Sequence, residues 1–148
     1  MLPAEHRVFL SHSGEDAFEA GLLQYAIEQM LADLNVTVWT YERDQKRDER
    51  SIGKSLKERV RESRATIFLV SPSTPKAGAA QWMELAYADA FNLPTFVILH
   101  RLTFDELRSR RRGVPPLLLD GQCNPSAEWR SVVGALRSRI AADDGAKA

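Results

Sequence analysis

Four short runs carry apolar residues almost without interruption: Arg7–Leu10 (RVFL), Val36–Thr40 (VTVWT), Ala65–Val70 (ATIFLV) and Pro94–Leu99 (PTFVIL). They lack the in/out alternation of a half-exposed strand and are rich in β-branched and aromatic residues. Strands buried on both faces of a parallel sheet read this way. Between them the apolar positions switch to helical spacing. Phe18, Leu22, Leu23, Ala26, Ile27, Met30 and Leu34 mark a helix over Asp16–Asp33, and Leu56 and Val60 one over Lys54–Ser63. Further helices are predicted over Trp82–Phe91, Thr103–Arg112 and Ser126–Ile140, and a weak edge strand over Pro115–Leu119, where prolines are tolerated.

Strand and helix therefore alternate strictly, which argues for a parallel sheet with right-handed crossovers. The expected fold class is α/β: a flavodoxin-like three-layer sandwich, with a five-stranded parallel sheet in the order 2-1-3-4-5 and helices on both faces. Ala65–Val70 is the most hydrophobic strand and is placed centrally. In this order the topological switch point lies between strands 1 and 3, and ligands bind outside the carboxyl ends of strands at such a point. The crevice is then bordered by Ser11–Asp16 and Ser71–Gln81. Just beyond the second of these comes Glu84, the one acid near the start of its predicted helix. Tyr41–Arg50 (YERDQKRDER) is a polar loop of the length that compact domains reserve for function or motion.

Composition narrows this picture. A chain of 148 residues is one domain, here residues 1–140, with 141–148 a flexible tail or the start of a linker. Lys+Arg and Asp+Glu both number 20. That balance gives no pull toward nucleic acid or anionic membrane, and neither is expected as a partner. No apolar run approaches spanning length, and MLPAEHR is too short and polar for a signal peptide. The single cysteine, Cys123, excludes a disulfide framework and fits a reducing cytoplasm.

Several chemistries are excluded. GxGxxG, GxxxxGK[ST] and GxSxG are absent. A phospho-acceptor receiver would need acids at the ends of strands 1 and 3, where this chain has Ser-His-Ser and Ser-Pro-Ser. His6, His12 and His100 are scattered, and no metal site is expected.

The residues resemble a known family. VFLSHSGEDAF (Val8–Phe18) is similar to the opening strand and loop of Toll/interleukin-1 receptor (TIR) domains. VTVWT, the polar loop and SIGKSLKERVRESRATIFLVSPS (Ser51–Ser73) resemble the second strand, BB loop, helix and third strand. WMELAYADAFNLPTFVIL (Trp82–Leu99) looks like the Trp-to-Glu-Leu helix and fourth strand. The likeness covers roughly residues 7–140, and it is to the NAD-cleaving, bacterial-type branch. It implies NAD+ as substrate, with no separate cofactor, and cleavage of the nicotinamide–ribose bond to give ADP-ribose or a cyclic isomer, in immune or antiviral signalling. The alternative within the family is a non-catalytic interaction module. By the resemblance, the catalytic Glu falls on Glu84. Phe9, Ser11, Ser13 and Asp16 in and after strand 1, Trp39, Tyr41 and Arg43 at the end of strand 2 and beyond, and Ser71 and Trp82 after strand 3 would bind substrate. The BB loop (residues 41–53) would mediate self-association, and a fused or separate sensor or effector domain is a further implied partner. The family places its Trp four residues before the Glu. That position is Ala80 here, and Trp82 lies two before. Anchoring on Glu84-Leu85 keeps the spacing to the next strand and makes Glu84 catalytic. Anchoring on the Trp puts Ala86 there instead.

Each candidate also has a plainer reading. A Glu in a first turn commonly serves the helix dipole. Ser11 and Ser13 suit caps, and Trp39 and Trp82 suit the core. The cleavage chemistry asks little of the protein. Nicotinamide leaves as a neutral molecule, so one carboxylate that stabilises the oxocarbenium character of the ribose suffices.

Overall fold

A computed structural model describes residues 5–40, 52–74, 79–109, 118 and 122–147. Five strands, β1 (His6–Ser11), β2 (Val36–Thr40), β3 (Ala65–Val70), β4 (Thr95–Leu99) and β5 (Gln122–Pro125), form one sheet in the order β2-β1-β3-β4-β5. Every pairing is parallel. Helices among the described residues include α1 (Ala17–Met30), α2 (Ile52–Arg61), α3 (Ala79–Ala90), α4 (Phe104–Ser109) and α5 (Trp129–Lys147). The expected doubly covered α/β fold is what the chain adopts.

The register shows why the strands are apolar throughout. Phe9 stands opposite Trp39 and Ser11 opposite Phe68. Successive side chains alternate between faces. Val8, Leu10, Ile67, Leu69, Phe96 and Ile98 meet Ile27 within α1 and Leu31 just after it, and Val132, Leu136 and Ile140 of α5. The other face is divided. Phe9 and Trp39 pack with Leu56, Val60 and Ala88, while Phe68, Val70, Val97 and Leu99 pack with Leu85, Leu107 and Leu118. With helices on both faces, neither side of the sheet can be polar.

The chain ends this sheet at β2 with a device against further pairing. On the open edge, Gln24 Nε2 of α1 donates to the Val38 carbonyl at 2.6 Å, and the Val38 N–H donates to Glu28 Oε1 at 3.0 Å. A strand edge satisfied by side chains offers no template to another strand.

The last helix runs to Lys147, past its predicted end at Ile140 and through most of the expected tail, and two further differences bear on the site. The fifth strand is Gln122–Pro125 and not Pro115–Leu119; Leu118 is helical and fully buried against Phe68 and Leu99. An apolar cluster beside prolines read as an edge strand, whereas the real edge strand, QCNP, is too short and polar to show a pattern. Residues 115–117 and 119 lie outside the described residues. The second difference is that α3 begins at Ala79, three residues before the predicted start, so Glu84 lies in the second turn and the first turn holds no acid. The expected cap before α1 does not form, since neither Ser13 nor Asp16 makes a side-chain capping bond. Thr103 caps α4 through a reciprocal pair, with Glu106 N–H donating to Thr103 Oγ1 at 3.1 Å and Thr103 N–H donating to Glu106 Oε1 at 3.3 Å. Among the described residues, no helix is long and apolar enough to cross a membrane.

Candidate active site

Phe9 and Ser11 point to the same side of β1, the side covered by α2 and α3. Phe9 is buried in that core, and Ser11, at the strand's carboxyl end, reaches α3. On α3 the buried positions are Gln81, Glu84, Leu85 and Ala88, an i, i+3, i+4, i+7 stripe. Helical periodicity thus turns Glu84 toward the sheet. The Ser11 hydroxyl donates to Glu84 Oε2. Both residues are almost inaccessible, at 2% and 3% exposure.

Burial dominates the electrostatics. Removal from water penalises the charged form and pushes Glu84 up to about 8, while the hydrogen bond from Ser11 works in the opposite direction. An acid perturbed in this way at the switch point of an open α/β sheet is a candidate catalytic group. It is no longer explicable as a first-turn dipole residue. The other conspicuous reactive side chain, Cys123, is pushed up by its own burial, away from the thiolate form a nucleophile needs.

A second polar group ties the loops after β1 and β3 together. Asp16 Oδ2 accepts from Ser71 Oγ at 2.6 Å and from Ser13 Oγ at 3.0 Å. Ser73 Oγ lies 2.7 Å from Ser71 Oγ, 2.8 Å from Ser13 Oγ and 3.3 Å from Asp16 Oδ2. Thr74 Oγ1 accepts from the Ser71 N–H at 3.0 Å, which turns the chain just after β3. Beside this group lies a cleft of about 190 Å³ lined by Glu15, Asp16, Glu19, Ser71, Pro72, Ser73 and Arg101. Asp16→Ala leaves buried hydroxyls without their shared acceptor, and we expect it to lower stability by about 2 kcal/mol in urea unfolding. A smaller loss for Asp16→Asn, which keeps an acceptor oxygen, distinguishes the shared hydrogen bonds from mere side-chain volume.

The structure brings Ser11 to Glu84, and Ser13 and Ser71 to Asp16. It does not bring the aromatic candidates to the same place. Phe9 and Trp39 stack in the core with ring centroids 4.9 Å apart, and Arg59 lies over the Trp39 ring at 5.6 Å. Trp82, two positions from Glu84, is on another side of α3 and packs against the Phe68–Leu99 cluster. Tyr41, Arg43 and the BB loop fall outside the described residues, apart from Ile52 and Gly53, which open α2. Sequence reasoning missed Ser73 as a partner of Asp16, and Arg101 on the cleft. Ser-Pro-Ser was a signal for the first. Arg101 left none: it follows β4 with φ of 55°, a left-handed backbone that Arg seldom adopts.

Comparison with known proteins adds to this geometry. No family model and no curated protein matches the chain. Solved structures do. The TIR domains of the activated Roq1 resistosome, which directly recognises the pathogen effector XopQ, match with a TM-score of 0.56 at 23% identity, over 72% of this chain. The chain spans only 64% of that one's length. A 2-deoxyribosyltransferase from the psychrotolerant bacterium Bacillus psychrosaccharolyticus, a biocatalyst for nucleoside synthesis, also has a TM-score of 0.56, at 16% identity, covering 86% of this chain and 90% of that one. At these identities the likeness is one of fold, and the chain shares the fold of TIR domains.

Proposed function

We propose that the chain is an NAD+ hydrolase or cyclase that cleaves the nicotinamide–ribose bond, acting in defence-type signalling. The observation that carries this reading is Glu84, a carboxyl buried at the carboxyl end of β1, held by one hydroxyl and shifted to about 8. In the reaction the C1′–N bond breaks and its electron pair leaves with neutral nicotinamide. The ribose C1′ gains positive character, which a carboxylate at Glu84 stabilises. Water adds at C1′ to give ADP-ribose and a proton, or an adenine nitrogen adds to give a cyclic isomer. Before binding, a Glu84 carboxyl near 8 is mostly protonated at neutral pH. Positive character developing at C1′ as the bond breaks favours the charged form, so the reacting centre helps ionise the group that acts on it. The two structural neighbours support the reading from different directions. One belongs to a defence assembly. The other is named for deoxyribosyl transfer, which is chemistry at the same kind of carbon–nitrogen bond.

A non-catalytic interaction module is the second reading, and α1 favours it. Phe18, Leu22 and Tyr25 are 74%, 57% and 65% exposed and lie at helical spacing, a surface that association covers. Self-association through the BB loop belongs to both readings. The deciding measurement is nicotinamide release from NAD+ by purified protein over a range of protein concentrations. We expect release, with activity per molecule rising as the protein is concentrated. No release at any concentration, including under crowding, leaves the module.

A further inference from the structure

Ser11 is placed by three independent constraints. It closes β1, its backbone is in register with Phe68 of β3, and strand alternation turns its side chain toward α3. Its hydroxyl meets a single acceptor, Glu84 Oε2. In the other direction, Ser11 is the one hydrogen-bond donor that Glu84 has among the described residues. A glutamate side chain turns about three torsions, and neither Gln81 nor Ala88, its neighbours on the buried stripe, holds it. Gln81 Nε2 is turned to the Leu69 carbonyl at 3.3 Å, and Ala88 has no polar atom. Ser11 therefore fixes where the carboxyl points.

We propose that Ser11 is a positioning residue for the cleavage reaction: its Oγ–H orients the Glu84 carboxyl at the end of β1 and favours the charged form, and it does not act by contacting NAD+. The inference rests on the NAD+-cleaving reading. Among the described residues, no nearby charge competes for this role. On α2, Arg59 lies over Trp39 and Arg61 over Phe91, while Lys57 and Glu58 are exposed. Past the end of β1, His12 Nδ1 lies 2.7 Å from the Ser13 carbonyl and Asp16 is occupied by Ser13 and Ser71. On α3 itself, Asp89 is exposed. Burial and the Ser11 hydroxyl account for the behaviour of Glu84.

The test compares wild type with Ser11→Ala and Ser11→Thr in two measurements. One follows the Glu84 side-chain carboxyl carbon by NMR through a pH titration, assigned with Glu84→Gln. The other follows kcat and KM for nicotinamide release against pH. A hydrogen bond to a charged group is worth about a tenfold preference for that form. Ser11→Ala is therefore expected to raise the titration midpoint by about one pH unit. It should lower kcat/KM about tenfold below the midpoint and recover toward wild type at higher pH, with KM nearly unchanged. Ser11→Thr, which keeps the hydroxyl, restores the wild-type midpoint. An unmoved midpoint overturns the proposal. So does a raised KM with an unmoved pH limb, the signature of a substrate contact. Wild type that releases no nicotinamide overturns the cleavage reading, and Ser11's part in it, whichever way the midpoint moves. Wild type that does release it, with the Ser11→Ala midpoint unchanged, overturns the role of Ser11 alone.

Discussion

Glu84→Gln is expected to lower kcat for nicotinamide release by about 10²–10³-fold, with KM for NAD+ little changed. Gln keeps the shape of the side chain and can still accept from the Ser11 hydroxyl, so packing and position survive. What it loses is the negative charge. In water that charge would count for little beside a developing oxocarbenium ion. In a site from which solvent is almost excluded, with Glu84 3% exposed, a fixed charge acts through a much lower dielectric. Loss of one preorganised electrostatic group costs about 3–4 kcal/mol of transition-state stabilisation, which is the stated factor. Because the charge matters most once the pyridinium nitrogen has begun to leave, the loss falls on kcat rather than on binding. Initial rates for wild type, Glu84→Gln and Glu84→Ala, with circular dichroism to confirm folding, decide the matter. Turnover by Glu84→Gln within a few-fold of wild type removes Glu84 from the chemistry.

How far such a site can be read from sequence depends on which interactions build it. β1 to β4 were legible because a strand covered by helices on both faces has no freedom to be polar, and Val8–Leu10 and Ala65–Val70 show it. The all-parallel sheet followed from alternation and the handedness of crossovers, which are global constraints, and five strands fit the flavodoxin-like order. β5 was not legible because four residues, one of them Pro125, contribute backbone pairing and almost no apolar pattern. The start of α3 was missed because Ala79-Ala80-Gln81 carries no cap or periodic signal, although the shift of one turn changes what Glu84 is. The pairing of Ser11 with Glu84 joins residues 73 apart, and that of Ser13 with Ser73 joins residues 60 apart. Such contacts are set by register and by which side of a helix faces the sheet, so neighbouring residues do not reveal them. Trp82 shows the limit of spacing arguments: two positions on a helix amount to about half a turn, enough to send its ring to the Phe68–Leu99 cluster while Glu84 faces Ser11.

The same buried carboxyl makes a prediction about stability that needs no substrate. Glu84 rises from an ordinary 4.5 to about 8 on folding, so the folded chain binds this proton more tightly than the unfolded one. Between those pH values the native state keeps the proton and the unfolded state has released it. Stability therefore falls as pH climbs through the window and is flat above it. The contribution is fully present below about pH 4.5, and by pH 8 some 4 kcal/mol has gone. Glu84→Gln is neutral throughout and escapes this loss. It should match wild type near pH 5 and exceed it at pH 8.5, by about 10 °C in melting temperature for a domain of this size. Every other titrating group is common to both proteins, so the difference between the two curves isolates position 84. Melting curves of wild type and Glu84→Gln that stay parallel from pH 5 to pH 9 contradict the burial of an ionisable Glu84. Curves that diverge through that window, for a variant that has lost its activity, show a site kept at the expense of the fold's own stability.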